Sequence, residues 1–302
     1  MERKKTIAYI FLIGTIVVWG ISFVSMKLVL EVFSPVALAF VRFVIATSIL
    51  VIIMLKTSKE KVEKKDLKLM ALSGFLGISL YFWCENNGVM RISANSSSII
   101  VATLPVGTLI AEAIAYKTKI TMKSVISIIL SFIGVYFVIG NDKISGSPVG
   151  YLFMFGSIAA WSLYMIFTKP LFEKYSNITI TTYQAIFGTL AFIPLMPFES
   201  IKFELINSTI IINLLFLAIL CSTMANFAYT YSMKELGIGI TSLSLNLIPV
   251  VTFLFSFLIL KENLNLLQVF GALLIIYSVY MLTKPQKQEA ALEQKGEEVL
   301  ES

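Results

Sequence analysis

The chain has 302 residues, of which 57% are apolar and 14% charged. Soluble domains carry about 25% charged and about 45–50% apolar residues, so a water-soluble fold is excluded. The net charge of +6 sits in lysines lodged between apolar runs, which reads as a membrane-orientation signal and not as a nucleic-acid footprint.

In chain order, apolar runs predict helices over 6–28, 35–55, 67–90, 94–116, 122–140, 148–169, 178–198, 208–232, 238–260 and 264–283. Each reaches roughly the 18–20 residues that a hydrocarbon core of about 30 Å demands. The runs are too long, and alternate too little, for barrel strands. The opening "MERKKTIAYIFLIGTIVVWG" has an apolar run too long for a signal peptide and no small-residue cleavage site, so it is expected to remain as the first helix. The polar stretch 285–302 follows the last helix and carries no function in this reading. Cys84 and Cys221 lie within apolar runs and read as small core residues. The chain contains no histidine, so any proton relay falls to carboxylates. Nothing in the sequence calls for a cofactor or a metal.

The basic residues fix an orientation. Arg3, Lys4 and Lys5, six lysines within "KTSKEKVEKKDLK", Lys117, Lys119, Lys123, Lys169, Lys174, Lys234, Lys284, Lys287 and Lys295 fall on one side. Lys27, Arg91, Lys143, Lys202 and Lys261 fall on the other, and Arg42 lies within the second helix. The positive-inside rule then places both termini in the cytoplasm, in a bacterial-type cell membrane.

The chain also repeats itself. "GTIVVWGISFVSMKLVLEVFS" (14–34) aligns with "GSIAAWSLYMIFTKPLFEKYS" (156–176), and "LPVGTL" (104–109) with "IPVVTF" (248–253). Trp19 thus corresponds to Trp161, Pro105 to Pro249, Lys117 to Lys261 and Glu85 to Tyr229. Five helices per copy is an odd number, so the second copy enters the membrane upside down. The loop charges agree, since the six-lysine loop has a counterpart holding only Lys202. The expected fold is an all-α integral membrane protein of ten transmembrane helices. They form two inverted five-helix repeats, residues 1–140 and 148–284. Inverted repeats mark secondary transporters, with the binding site at their interface near mid-membrane.

The segments "WGISFVSMKLVL", "SPVALAFVRF", "ISANSSSIIVATLPV" and "GIGITSLSLNLIPVVTFLFSFLILKENLNLLQVFGALLI" resemble the EamA-type branch of the drug/metabolite transporter superfamily. The resemblance covers residues 6 to about 284. It implies alternating access and, usually, export of small metabolites, amino acids or drugs. One departure is the "YKTK" closing helix 4 where helix 9 closes on "LKEN", so Glu262 has no carboxylate counterpart.

Candidate transport residues cluster in the middle of the runs. Pro105 and Pro249 each remove a backbone donor, and paired interruptions in two repeats point to a transport site. Around them Asn95, Ser98, Ser242 and Asn246 share helical faces, suited either to lining a cavity or to close helix packing. Trp19 and Trp161 lie deep, although tryptophan usually gathers at membrane interfaces. They serve either a cavity wall or the core. Tyr81, Asn86, Asn226 and Tyr229 complete the expected cavity lining. Glu112 reads as interfacial.

Glu85 raises the sharpest question. It lies roughly 7–8 Å from the outer end of its helix, with Arg42 at similar depth roughly 10 Å below Pro35. A charge at a helix centre costs about 2.5–3.5 kcal/mol on insertion scales. Three readings stay open: a proton-coupling or cation-binding carboxylate, an ion pair with Arg42, or hydration near the outer interface. No G-x-x-x-x-G-K-[ST] loop occurs, so ATP is not the direct energy source. No Ser–His pair or Gly-x-Ser-x-Gly motif supports an enzyme. The sequence therefore points to a secondary transporter, in the export direction, of small metabolites, amino acids or drug-like compounds. Proton coupling and facilitative exchange both remain open, as do monomer and dimer. The expected partners are a small-molecule substrate, protons in the coupled case, and membrane lipids.

Overall fold

The computed structural model describes residues 2–58, 60–117, 121–139, 147–237, 240–241, 244–263 and 265–283. Candidate Ser242, Lys143 and the 285–302 tail lie outside the described residues. Seven helical stretches are long and apolar enough to cross a membrane. They are α1 (Glu2–Val29), α2 (Pro35–Thr57), α3 (Lys64–Arg91), α4 (Ala94–Tyr116), α6 (Pro148–Glu173), α7 (Asn177–Phe198) and α8 (Ser208–Leu236). Three shorter apolar helices take the places of the remaining expected spans: α5 (Met122–Ile139), α9 (Leu245–Ile259) and α10 (Leu266–Thr283). Large apolar side chains such as Phe198, Leu266 and Tyr136 stand on the outer surface, as a bilayer-facing surface requires.

Local signals explain where the helices begin and end. Ser34 and Ser176, equivalent in the repeat, are extended residues just ahead of α2 and α7. Ser93 accepts a hydrogen bond from the Ser96 amide and starts α4, the usual N-cap arrangement. Lys117 and Lys261, also equivalent, both close their helices in the left-handed conformation, with φ of 51° and 59°. Gly237 ends α8 at φ 86°, where the missing Cβ removes the strain.

The packing is built across the two halves. The main pairs are α3 with α6 and α7, α1 with α8 and α9, α2 with α7 and α8, α4 with α6 and α9, and α5 with α10. Exchanging each helix for its repeat counterpart turns this set into itself: α1–α8 becomes α6–α3, α1–α9 becomes α6–α4, and α2–α8 becomes α7–α3. Neither half buries its apolar faces alone, so the duplication folds as one interleaved unit. Gly88 and Gly150 show how closely α3 and α6 approach. A Cβ on Gly150 would lie 2.8 Å from the Arg91 Cβ, and one on Gly88 would run into the Met154 side chain.

Two polar clasps tie the helix ends together. On the lysine-rich side, Lys174 and the Tyr175 hydroxyl donate to Asp66 at 3.1 and 2.8 Å. The amide and hydroxyl of Ser176 donate to Glu60 at 2.9 and 2.8 Å. On the opposite side the pseudo-equivalent contact is made by backbone. The Ser34 amide donates to the Ser200 carbonyl at 3.1 Å and the Lys202 amide to the Val32 carbonyl at 3.0 Å, around a bridge between Phe33 and Ile201.

Candidate functional site

Two kinds of helix defect surround the middle of the molecule. The prolines make the first. α4 breaks at Ala102–Thr103 and resumes at Leu104 with Pro105 in its first turn. α9 enters through a tight 3₁₀ turn, Leu245–Leu247, with Pro249 in the first turn that follows. The second kind is a π-helical segment, Phe75–Leu80 in α3 and Phe216–Ala225 in α8. Shifted by the repeat offset of 144 residues, the first falls wholly within the second. Wide turns of this kind gather at functional sites. No residue type marks them as proline marks a kink, so the sequence reading did not find them.

Arg42 and Glu85 are both almost fully buried, at 2% and 4% exposure, and they line one cavity with Trp19, Tyr81, Phe82 and Trp161. The Arg42–Glu85 ion pair held open above is not formed as a direct contact among the described residues. Arg42 instead donates from Nε to Ser222 Oγ at 2.8 Å, and its guanidinium carbon lies 4.5 Å from the Phe82 ring centre. Glu85 accepts from the Tyr81 hydroxyl at 2.6 Å. The reason is local. Tyr81 lies one helical turn before Glu85 and reaches it along the same face, while the π segment of α8 presents Ser222 to Arg42.

The aromatic residues form a connected set around Trp161. Its ring centre lies 4.7 Å from Tyr81, 4.9 Å from Tyr164, 5.7 Å from Trp19 and 5.8 Å from Tyr229. Trp19 and Tyr229 also touch, at 5.1 Å. The Trp19 indole donates to the Cys221 carbonyl at 3.4 Å, whereas the buried Trp161 Nε1 has no partner among the described residues. A second cavity beyond Trp161 is lined by Tyr164, Gln184, Ser222, Asn226 and Thr230. A Cβ on Gly77, in the π segment of α3, would strike the Tyr164 ring, so glycine there lets α3 approach α6.

The other candidate residues divide. Asn226 lines the second cavity and donates to the Ser222 carbonyl at 3.1 Å. Asn86 donates to the Pro35 carbonyl at 2.8 Å and ties α3 to the start of α2. Ser98 bonds back to the Asn95 carbonyl on its own helix at 2.8 Å and lines neither cavity. Asn246 is buried outside both linings, its Oδ1 without a partner among the described residues. Glu112 is half-buried near the end of α4.

The two cavities are small, about 30 and about 20 Å³. Each can admit water, which needs at least about 10–15 Å³ of cavity. Pockets that enclose small molecules measure about 300–1,000 Å³, so neither cavity is large enough to enclose one. A carboxylate contact ties the two repeats together near Lys261. The Glu262 carboxylate accepts from the Ala94 and Asn95 amides at the start of α4, both at 3.2 Å. Ser256 donates to Asn95 Oδ1 at 2.6 Å. In the sequence Glu262 stands out only for its missing counterpart. Ser222 and Ser256 went unread because isolated serines in apolar helices look like packing residues.

Interleaved repeats of membrane-length helices, with paired helix breaks over a buried charged centre, define a membrane transporter fold. The EamA-like transporter family matches residues 6–140 and again 148–284, and the chain belongs to that family. An uncharacterized transporter of Archaeoglobus fulgidus is 29% identical over 91% of this chain and 98% of its own length. The uncharacterized transporter YyaM of Bacillus subtilis is 30% identical over 90% of this chain and 92% of its own. A probable terminal-alkyne amino-acid exporter of Streptantibioticus cattleyicolor is 23% identical over 90% and 92%. A solved crystal structure superposes with a TM-score of 0.66 at 13% identity, covering 91% of this chain and 96% of its own, a likeness of fold.

Proposed function

We propose that the protein exports amino-acid-like zwitterions across the cell membrane by alternating access, with both termini in the cytoplasm, in exchange for protons. The single observation that carries this reading is one buried cavity lined by a guanidinium, a carboxylate and an aromatic wall. Arg42 offers planar paired donors for a carboxylate, joined by the free indole N–H of Trp161. Glu85 offers an acceptor for an ammonium. Trp19, Tyr81 and Trp161 offer flat apolar surface for the rest of the solute, and a ring face also attracts a cation. The relative named a probable terminal-alkyne amino-acid exporter is in keeping with that chemistry.

Glu85 is the coupling residue in this reading. Its present partner is a neutral phenol, which a substrate ammonium or a proton can replace. Because both compete for one carboxylate, inward proton movement and outward substrate movement are linked. The contact of Glu262 with α4 holds the Lys261 side shut, and the cavity must expand on the other side to admit substrate. The paired breaks at Pro105 and Pro249 are the hinges for that movement.

The test is counterflow in proteoliposomes, scanning neutral, cationic and zwitterionic labelled solutes under an imposed pH gradient. The reading expects uptake against a gradient for amino-acid-like zwitterions, lost in Glu85→Gln and Arg42→Gln. Gradient-driven uptake that persists in Glu85→Gln across pH 5.5–8 removes the coupling role. A preference for solutes that lack a carboxylate removes the zwitterion.

A further inference from the structure

A wider space than either central cavity lies away from the charged centre. It is a groove of about 440 Å³ between α1, α2 and α8, lined among others by Ile10, Gly14 and Thr15 of α1, Ile53 of α2, and Leu220 and Thr223 of α8. It opens among side chains exposed on the apolar surface, including Ile10, Ile53 and Met224. Its two hydroxyl groups are already used. Thr15 donates to the Ala225 carbonyl at 3.3 Å and Thr223 to the Ala218 carbonyl at 2.9 Å. No polar side chain in the lining is left to hold a polar solute, and the matching occupant is plain hydrocarbon.

The repeat supplies a comparison. The counterpart of Gly14 is Gly156, and a Cβ there would stand 3.0 Å from Cys84 Sγ; at Gly14 nothing comes within 4 Å. The counterpart of Cys84 is Ala228, which lines the groove. One pair of equivalent helices is therefore packed shut, and the other is left open by a smaller side chain. A persistent gap of this size on a lipid-facing surface forfeits packing contacts unless something fills it. The groove also points toward positive charge. The exposed Lys4 lies seven residues before Phe11 of the lining and on the same helix face, and the exposed Lys56 lies three residues after Ile53, or roughly 10 and 5 Å along their helices.

We propose that this groove seats one acyl chain of an anionic phospholipid of the cytoplasmic leaflet, with the headgroup held at Lys4 and Lys56. The occupant is a lipid and not the transported solute, because the lining holds neither the charges nor the aromatic wall of the central cavity.

The experiment uses the full chain in nanodiscs doped with phospholipids that carry a photoreactive acyl chain, one with a phosphatidylglycerol and one with a phosphatidylcholine headgroup. Crosslinks are mapped by peptide mass spectrometry. The proposal expects labelling concentrated on α1 residues 10–18 and α8 residues 220–228, stronger for phosphatidylglycerol. Lys4→Gln with Lys56→Gln weakens that preference roughly thirtyfold, from about 1 kcal/mol for each of two basic residues near a charged surface. Gly14→Leu, which enters open space, removes the groove labelling while the protein keeps its elution volume. Labelling spread evenly over the lipid-facing helices overturns the proposal, as does groove labelling unchanged by Gly14→Leu. Equal labelling by both headgroups overturns the anionic assignment. If Gly14→Leu fails to fold, Ala228→Leu fills the groove from the opposite wall, and the same outcomes apply.

Discussion

Replacing Glu262 tests a charged contact that joins the repeats near Lys261. Its carboxylate accepts two amides, both at 3.2 Å, from the first residues of a helix whose own ladder leaves those donors unused. Hydrogen bonds to a charged acceptor contribute about 1.5–3 kcal/mol net, and a negative charge at a helix start adds about 0.3–1 kcal/mol. The 3.2 Å separations lie at the long end of the hydrogen-bonding range, and the side chain is half-buried, so the lower values apply. Glu262→Ala is expected to cost about 2 kcal/mol and Glu262→Gln about 1 kcal/mol, because glutamine keeps one acceptor but loses the charge. In a chain of this size that lowers the melting temperature by roughly 2–8 °C, with alanine the larger effect. The assay is thermal unfolding of purified protein in detergent, read by loss of the monodisperse size-exclusion peak. Ser256→Ala removes the neighbouring bond to Asn95. Since Ser256 and Glu262 both act on Asn95, their double variant is expected to fall short of additive. A melting temperature unchanged in Glu262→Ala refutes the contact as a closure, and strict additivity refutes the coupling through Asn95.

Asp66 is buried beneath Lys174 and Tyr175. Asp66→Ala is expected to cost about 1–3 kcal/mol by stranding the Tyr175 hydroxyl, measured as a fall in melting temperature larger than for Lys174→Met. Glu60 lies outside the membrane spans. Burial alone would raise its pKa, but hydrogen bonds from Ser176 and Thr179 and the charge of Lys234 outweigh it, so its folded pKa is depressed below the usual 4.5. A depressed carboxylate stabilises the fold above its unfolded pKa and loses that contribution as pH falls through the folded value. Stability therefore drops below about pH 4.5, and Glu60→Gln flattens that drop in a pH-resolved melting series. Gly88→Val drives a branched side chain into Met154. A cost of at least about 1–3 kcal/mol follows from overpacking, read as loss of folded yield, which Met154→Ala in the same chain partly restores.

The sequence showed the duplication because repeats leave direct marks: Trp19 with Trp161, Pro105 with Pro249, Lys117 with Lys261. Those marks are physical requirements. A proline breaks a helix wherever it recurs, and both lysines end their helices in the same left-handed turn. The site was legible only in outline. Glu85, Arg42 and the two tryptophans stand out because a charge or an indole deep in an apolar run costs too much to be incidental. Their partners were not legible. Arg42 takes Ser222, 180 residues away, through a π segment that no residue type announces. Glu85 takes the tyrosine one turn behind it, a pairing that helical spacing permits but does not require. Ser98 shows the converse. Its spacing placed it on a polar face, yet a serine in an apolar helix satisfies itself on its own backbone at little cost, so polarity alone did not aim it at the cavity.

The differences between the halves are more informative than their likeness. A symmetric pair of inverted repeats favours neither side of the membrane, since each contact has an upside-down copy of equal strength. Three departures from that balance stand out. Glu85 faces Tyr229 across the pseudo-symmetry, so only one half carries a carboxylate at the centre. Glu262 clasps the start of α4, while the residue at its counterpart position is Thr118, which brings no charge. Gly156 is packed against Cys84, while Gly14 stands open beside Ala228. Each departure lowers the energy of one arrangement of the helices relative to its mirror. The exporter proposed above, resting closed on one side and loading from the other, needs that kind of bias. A duplicated frame acquires it most simply by changing single side chains and leaving the frame intact.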